Sequence, residues 1–379
     1  MVSPFVTEPE RAQSLADFEQ AALAVLPADV RDFVAGGSGA ETTLRANRAA
    51  FDRVFVVPRI LRDVSACTTD ATLLGRSVSM PVAVAPVAYQ RLLHPEGELA
   101  VARAAKTAGV PFTATTMSSV PVEELTALGG TVWFQLYWLR EAERSLNLVR
   151  RAEDAGCEAI VLTVDVPWMG RRIRDIRNRF TLPAQVTAEH LAHGAESAAH
   201  RRPGDEVSAV AAHTRQAFSS SVTWRTVRAL REWTSLPLVL KGVLAPEDAV
   251  RAAEAGVDAV VVSNHGGRQL DGALPGVEAL GPVAKAVGAH CQVLMDSGVR
   301  GGTDVLRALA LGADGVLVGR PLMWGLATAG EAGAARVLAL LADELRDALG
   351  LSGCAGVAEA ARLRTVRTGA EAVNPYGGE

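Results

Sequence analysis

Short apolar runs rich in Val and Leu alternate with longer Ala-rich runs from Pro81 onward, and the change of period separates strands from helices. "PVAVAP" precedes "GELAVARAAKTAG", whose final Gly109 reads as a helix stop. The alternation continues through "VPFTATT", "PVEELTALGG", "VWFQLY", "SLNLVRRAEDAGCEAIVLTVD", "PLVLKG", "PEDAVRAAEAGVDAVVVSNHG", "CQVLMDSG" and "GTDVLRALALGADGVLVGR". Three joins, "AEDAGCEAIVLT", "AEAGVDAVVVS" and "ALGADGVLVG", share one shape: a helix ended by Gly, a turn carrying an acid, and an apolar strand. Eight strands are predicted, near residues 82–86, 110–115, 132–136, 159–164, 237–241, 258–262, 291–295 and 315–318. Repeated βα units ask for a parallel sheet covered by helices, and eight of them predict an α/β fold of the TIM (β/α)8 barrel type. An open doubly wound sheet is the alternative. Against it, no GxGxxG follows the first strand, and polar residues recur at many strand ends instead of at one crossover.

Two regions fall outside the repeat. Residues 1–80 read as an N-terminal helical extension with a short irregular or hairpin part, joined to a barrel over 81–360 in a single domain. A long connection, 167–236, separates the fourth and fifth strands; its 181–220 portion is polar, Ala-rich and His-rich, with Pro203 and Gly204 at its centre, and is expected to form a mobile lid over the mouth. His190, His193, His200 and His213 lack Cys and acidic neighbours at metal-site spacing, so they are expected on exposed or partly ordered segments with no metal.

Composition narrows the class of protein. Half the chain is apolar (49%), 21% is charged and the net charge is −4, which suits a soluble globular protein. Lys and Arg total 38 against 42 Asp and Glu, a balance that argues against nucleic acid as a partner. Cys67, Cys157, Cys291 and Cys354 are scattered with no CxxC, as expected of a reduced, cytoplasmic protein. Neither a secretory leader nor a membrane span is expected, since no basic start precedes an apolar stretch and no uninterrupted apolar run is long enough.

In such a barrel, residues just past the C-terminal strand ends meet at one mouth. The first strand brings Ala85, Pro86, Val87, Ala88 and Tyr89; the second Thr115 and Met117; the third Gln135 and Tyr137; the fourth Thr163 and Asp165. Lys241 follows the fifth, His265 and Arg268 the sixth, Asp296, Ser297, Gly298 and Arg300 the seventh, and Gly319 and Arg320 the eighth. "DSGVRGG" and "GRP" have the form of an anion cradle, in which glycines admit backbone N–H groups and arginines supply paired donors; the alternative is that these glycines only end strands. Lys241 has three readings: a Schiff-base nucleophile, a fixed cation beside a cofactor ring, or a lysine that snorkels outward. His265 and Arg268 have the chemistry of a base beside a carboxylate clamp, with Asp165 to orient the imidazole and Tyr137 to hold a substrate oxygen; a surface histidine beside a structural arginine is the alternative.

"SNHGGRQLDG" at 263–272, with "HPEGE" at 94–98, "FQLY" at 134–137, "LTVDVP" at 162–167, "GRRIRDIRNRF" at 170–180, "LKGV" at 240–243 and "GRP" at 319–321, resembles the FMN-dependent α-hydroxy-acid oxidizing family in order from about residue 15 to 360. The resemblance implies an FMN-binding barrel that oxidises an (S)-2-hydroxy acid to a 2-oxo acid. It makes His265 the base, taking either the hydroxyl proton as the α-hydrogen leaves as hydride or the α-proton itself. Asp165 becomes its partner, Tyr137 the residue steadying the substrate oxygen, Arg268 the main carboxylate clamp and Arg172 a second cation. It assigns FMN to Ala85–Ala88 as a backbone wall, to Thr115, Gln135 and Thr163 near the ring, and to Lys241 near N1 and O2. Asp296 falls at the ribityl chain and Arg300, Gly319 and Arg320 at the phosphate, with Ser297 and Gly298 also cofactor-binding. A homo-oligomer, a tetramer by the resemblance, is expected.

Three departures from the family pattern stand out. Phe33 stands where Tyr is common, Met117 where small-substrate relatives often carry Trp, and "DSGVRGG" replaces "DGGxRRG". Phe33, Tyr89 and Met117 together favour an aromatic side chain on the substrate, with 4-hydroxymandelate or mandelate ahead of lactate and glycolate. Because the long connection is polar, molecular oxygen is expected as electron acceptor ahead of a quinone or a protein. Other FMN barrels, such as a diphosphate isomerase, and a noncatalytic scaffold are the broader alternatives.

Overall fold

The computed structural model describes residues 8–191, 198–201 and 207–368. Ser14 opens the first long helix, Leu15–Val25, by a capping box: its hydroxyl accepts from the Asp17 N–H while the Asp17 carboxylate accepts from the Ser14 N–H at 2.9 Å. Helices Ala28–Ala35 and Thr42–Asp52 follow, then β1 (Val54–Val57) and a hairpin of β2 (Ala71–Leu73) and β3 (Arg76–Val78). This is the predicted helical extension with its hairpin. Unforeseen is the antiparallel pairing of β1 with β12 (Arg364–Arg367), which ties the segment before the barrel to the segment after it.

Between them lie β4 (Val82–Val84), β5 (Phe112–Thr115), β6 (Val132–Leu136), β7 (Ala159–Thr163), β8 (Leu238–Val243), β9 (Ala259–Val262), β10 (Gln292–Met295) and β11 (Gly315–Val318). They are parallel and close into one barrel, in which β11 pairs with β4. All eight predicted strands are present, and the helix ending at Gly109 stops there with φ +67°.

Each barrel strand is almost wholly buried, because helices cover one face and the barrel axis the other. Alternation divides the strand residues between two cores. Val82, Phe112, Phe134, Ile160, Leu240 and Val260 pack outward under the helices. Ala83, Trp133, Val161, Val239, Val261, Leu294 and Leu317 fill the interior, and Leu73 and Val78 of the hairpin seal its N-terminal end.

The same alternation carried upward converts the interior from apolar to polar: Trp133 to Gln135, Val161 to Thr163, Val239 to Lys241, Val261 to Ser263, Leu294 to Asp296. The mouth is therefore the top layer of the barrel filling, written in polar side chains.

Helix Arg320–Ser352 is, among the described residues, long and apolar enough to match a bilayer span. It breaks at Ala329–Gly330, and it buries Leu322, Trp324, Leu326, Val337, Leu338 and Leu341 inside the fold. Its apolarity is that of a core helix.

The described residues of the long connection after β7 are more tightly packed than its composition suggested. Leu182, Val186, Ala199, Val210 and Phe218 are buried. His190, expected to be exposed, is also buried: Nδ1 lies 2.9 Å from the Thr115 carbonyl and Nε2 accepts from the Val122 N–H at 3.0 Å. The reason is that a neutral imidazole can satisfy both nitrogens inside a protein. His200 is half-buried, with Nε2 2.8 Å from the Val186 carbonyl, and burial pulls the pKa of His213 down. His193, Pro203 and Gly204 lie outside the described residues, and no metal-binding cluster occurs among the described ones.

Candidate active site

A chamber of about 1230 Å³, counted with its open entrance, occupies the C-terminal end of the barrel. On one side it is lined by His265, Arg268, Lys241, Asp296 and Arg320, and on the other by Tyr89, Leu92, Met117, Val210 and Phe218.

The segment 263–272 explains most of the first side. His265 sits at φ +59° with its N–H on the Ser263 hydroxyl, and its Nδ1 is 3.0 Å from Asp165 Oδ1. Asn264 pairs amide to amide with Asn47 at 2.9 and 2.7 Å, fixing the loop to helix Thr42–Asp52. Asp271 accepts from the Ala40 and Thr43 N–H groups at the start of that helix. Gln269 donates to the carbonyls of Asp165 and Trp168 and thereby holds the Asp165 loop against the His265 loop.

Gly242 is a functional position that residue type alone did not flag. Its φ is +111°, and a Cβ there would lie 2.6 Å from the Asp165 Cβ, so glycine is what lets Asp165 reach His265.

Burial pulls the pKa of His265 down; Asp165 opposes this, Lys241 and Arg172 reinforce it, and the net direction is down. The imidazole is thus neutral near pH 7. With Nδ1 engaged by Asp165, its lone pair is left on Nε2. Burial alone would raise the Asp165 pKa, but His265 and Lys241 outweigh it and keep the carboxyl ionised.

Lys241 makes a 3.0 Å ion pair with Asp296 and donates to Ser263 at 3.1 Å. Burial favours the neutral amine, yet Asp296 and Asp165 win and raise its pKa. A lysine held charged in this way is no Schiff-base nucleophile, and being 4% exposed it does not snorkel outward. The fixed-cation reading remains.

Arg172, Arg268, Arg300 and Arg320 line the chamber, and burial lowers the pKa of each, with neighbouring guanidiniums adding to the effect on Arg172 and Arg320. Arg172 Nε is buried without a partner. Arg268 Nη1 donates to the Phe33 and Gly36 carbonyls, and Arg320 spends three of its five N–H groups on Val34, Gly36 and Gly266 carbonyls. So many cations in low dielectric demand anionic occupants. A phosphate near Arg300 and Arg320 and a carboxylate near Arg172 and Arg268 meet that demand, so the donor set fits FMN together with an acid substrate.

Phe33 lines the chamber and has a second role there. Its ring stacks on Phe180 at 4.5 Å, and the guanidiniums of Arg268 and Arg172 lie 5.4 and 6.0 Å from its centroid. It is a platform for the two cations.

Ser297, which replaces a family glycine, sits at φ +75°, the region where glycine costs least. Its hydroxyl donates to Asp296 at 2.6 Å and accepts from the N–H groups of Asn264 and Gly266, tying the β10 loop to the β9 loop.

The remaining predicted residues divide. Ala85–Ala88, Tyr89, Met117, Gly298, Gly319 and Arg300 line the chamber with the groups above. Thr115, Gln135 and Thr163 are buried at the strand ends and do not line it. Gln135 donates to the Thr163 hydroxyl at 3.0 Å, Thr115 accepts from the Met117 N–H, and Thr163 lines a small adjoining recess.

Tyr137 stacks on Phe218 at 4.5 Å and keeps its proton, its pKa pushed up to about 12 by burial and Asp165. Phe218, Val210, Thr214 and Met169 were missed by sequence reasoning; the isolated Phe218 in a polar, Ala-rich stretch was the available signal.

Comparison with known proteins agrees with this geometry. The chain is 62% identical over 352 residues to the 4-hydroxymandelate oxidase of Amycolatopsis orientalis, covering 93% of this chain and 98% of that protein. It is 42% identical over 343 residues to human 2-hydroxyacid oxidase 1, covering 90% of this chain and 93% of that one. A crystal structure of mandelate oxidase with (S)-4-hydroxymandelic acid superposes with a TM-score of 0.92 at 61% identity, covering 94% of this chain and 99% of that one. Residues 22–367 match the FMN-dependent dehydrogenase family, and with the barrel, the cation-lined chamber and these relatives in agreement, the chain belongs to that family.

Proposed function

We propose that the protein oxidises an aromatic (S)-2-hydroxy acid, (S)-4-hydroxymandelate or (S)-mandelate, to the 2-oxo acid, with oxygen reduced to hydrogen peroxide. The observation that carries this is the chamber itself: a neutral, Asp165-oriented His265 stands beside the guanidiniums of Arg172 and Arg268 and opposite an apolar wall. The extensive similarity to 4-hydroxymandelate oxidase supports the substrate class.

FMN, when bound, would supply the two-electron oxidising power for the α-carbon, with oxygen as the final acceptor. In this reading Arg300, Arg320, Gly298 and Gly319 would hold its phosphate, Asp296, braced by Ser297, its ribityl chain, and Lys241 the edge where reduction places negative charge. Ala85–Ala88 would wall its ring system, and Thr115, Gln135 and Thr163 would support that end of the chamber from the strand ends. Arg268 and Arg172 hold the substrate carboxylate and set the α-carbon's position. His265 Nε2 accepts a proton from the substrate, and Asp165 stabilises the imidazolium that results. Protonated Tyr137 donates to the substrate's α-oxygen. Phe218, Met117 and Val210 exclude water from its side chain.

Anaerobic mixing of the FMN-loaded protein with (S)-4-hydroxymandelate, (S)-mandelate, lactate and glycolate tests the proposal. Flavin bleaching fastest with the aromatic acids is expected, followed by one hydrogen peroxide per 2-oxo acid on admission of air. Preference for glycolate, or no bleaching, refutes it. Self-association is also proposed, on the exposed Ile60, Leu61, Trp168 and Leu270, and sedimentation of the holoprotein measures it.

A further inference from the structure

Tyr89, on the apolar side of the chamber, combines two costly features. Its φ is +57°, a left-handed conformation that a bulky residue adopts at an energetic cost, and its backbone N–H is pinned to the Met117 carbonyl at 3.2 Å. Its hydroxyl is buried and has no hydrogen-bond partner, although the side chain lines the chamber and is 1% exposed. Phenylalanine would fill the same space without stranding a hydroxyl, so packing does not account for tyrosine here.

The surroundings indicate what the hydroxyl awaits. Leu92, Leu93, Met117 and Val210 also line the chamber and offer no hydrogen-bond donor and no acceptor stronger than a thioether. Burial raises the Tyr89 pKa and Tyr137 adds to the rise, so the group stays protonated. A neutral donor and acceptor in an apolar pocket matches a neutral polar substituent on a ring.

We propose that the Tyr89 hydroxyl is a specificity element that hydrogen-bonds the 4-hydroxyl of a 4-hydroxyphenyl substrate, on the pocket side lined by Leu92, Leu93 and Met117. This rests on the proposed oxidation of aromatic 2-hydroxy acids and narrows it. Each phenol can both donate and accept, so one bond satisfies the stranded group and reads the substituent. Mandelate leaves Tyr89 unpaired, and discrimination arises from that difference.

The test compares wild type and Tyr89→Phe as FMN holoproteins. The ratio of anaerobic flavin-reduction efficiencies, (S)-4-hydroxymandelate over (S)-mandelate, is expected to fall about tenfold in the variant, the order of one hydrogen bond. An unchanged ratio overturns the proposal, as does an equal loss on both acids, which places Tyr89 at the shared carboxylate or α-oxygen. A second measurement uses wild type alone: nonreacting 4-hydroxyphenylacetate should bind more tightly than phenylacetate, read from the flavin absorbance change, and equal binding overturns the assignment with no variant required. Wild type that is reduced by neither aromatic acid refutes the wider function; wild type reduced by both, with Tyr89→Phe equally selective, refutes the Tyr89 assignment alone.

Discussion

The two walls of the chamber are built on different principles. The wall formed by the ends of β8 to β11 is polar, and nearly every group on it is held by a named bond: Lys241 to Asp296 and Ser263, His265 to Asp165, Ser297 to Asp296 and Asn264. The opposite wall comes from the loops after β4, β5 and β7 and is mainly Tyr89, Leu92, Met117, Val210 and Phe218. Those loops are pinned from behind, where Glu98 accepts from the N–H groups of Gln90 and Ser119, and His190 joins Thr115 to Val122. Groups that must act at one distance stand on strand ends, while groups that choose a side chain stand on loops whose volume can change without disturbing the barrel. Mutations on the polar wall should therefore alter rate on every substrate, and those on the apolar wall should alter selectivity.

The largest effect is expected from His265→Asn. Removing the base should slow flavin reduction by about a thousandfold while FMN stays bound. Near-normal stopped-flow reduction would remove His265 from the polar wall's chemistry. The same group is expected to set the pH profile: with its pKa below the usual 6.5, kcat/KM should be level just above that pH and fall in acid as the imidazole takes up a proton. A fall that begins well above pH 6.5 contradicts a neutral, depressed histidine.

Lys241→Met comes next, with reduction slowed by about a hundredfold and a lower midpoint potential of the bound flavin. It also leaves Asp296 buried without its cation, so thermal unfolding should occur at a lower temperature. An unchanged potential in the FMN-loaded variant would make Lys241 a structural residue only. Arg268→Lys keeps charge and loses the planar fork, for an expected loss of roughly thirtyfold on aromatic and aliphatic acids alike. Equal kinetics to wild type would shift the clamp to Arg172.

The apolar wall gives the smallest and most selective effect. Met117→Trp should cost about tenfold on mandelate and 4-hydroxymandelate relative to lactate, because the added ring competes with the substrate's ring and not with its carboxylate. Uniform slowing across the acids would mean that the two walls are not separable.

Much of the polar wall was legible in the sequence because it follows strand ends, and strand ends follow from hydrophobic periodicity. His265 and Asp165 are a hundred residues apart, yet each lies just past a strand whose neighbour order a closed barrel dictates. The apolar wall was less legible. Tyr89 and Met117 adjoin strands, but Phe218 lies far from one in a segment whose polarity hid its packing, and His190 gave no sign of burial. Phe33 could be seen to lack a hydroxyl, but not to carry two guanidiniums on its ring.

The alternation of apolar residues by itself determined eight strands, their helices and which side chains stand at the mouth, since each of these depends on neighbours within a few positions. Only the tertiary structure decided that Gly242 clears the way for Asp165, that Arg320 donates to carbonyls of the N-terminal segment, and that β1 pairs with β12. Those contacts join residues separated by tens to hundreds of positions, and their distances are set by closure of the barrel, which no local pattern of the chain encodes.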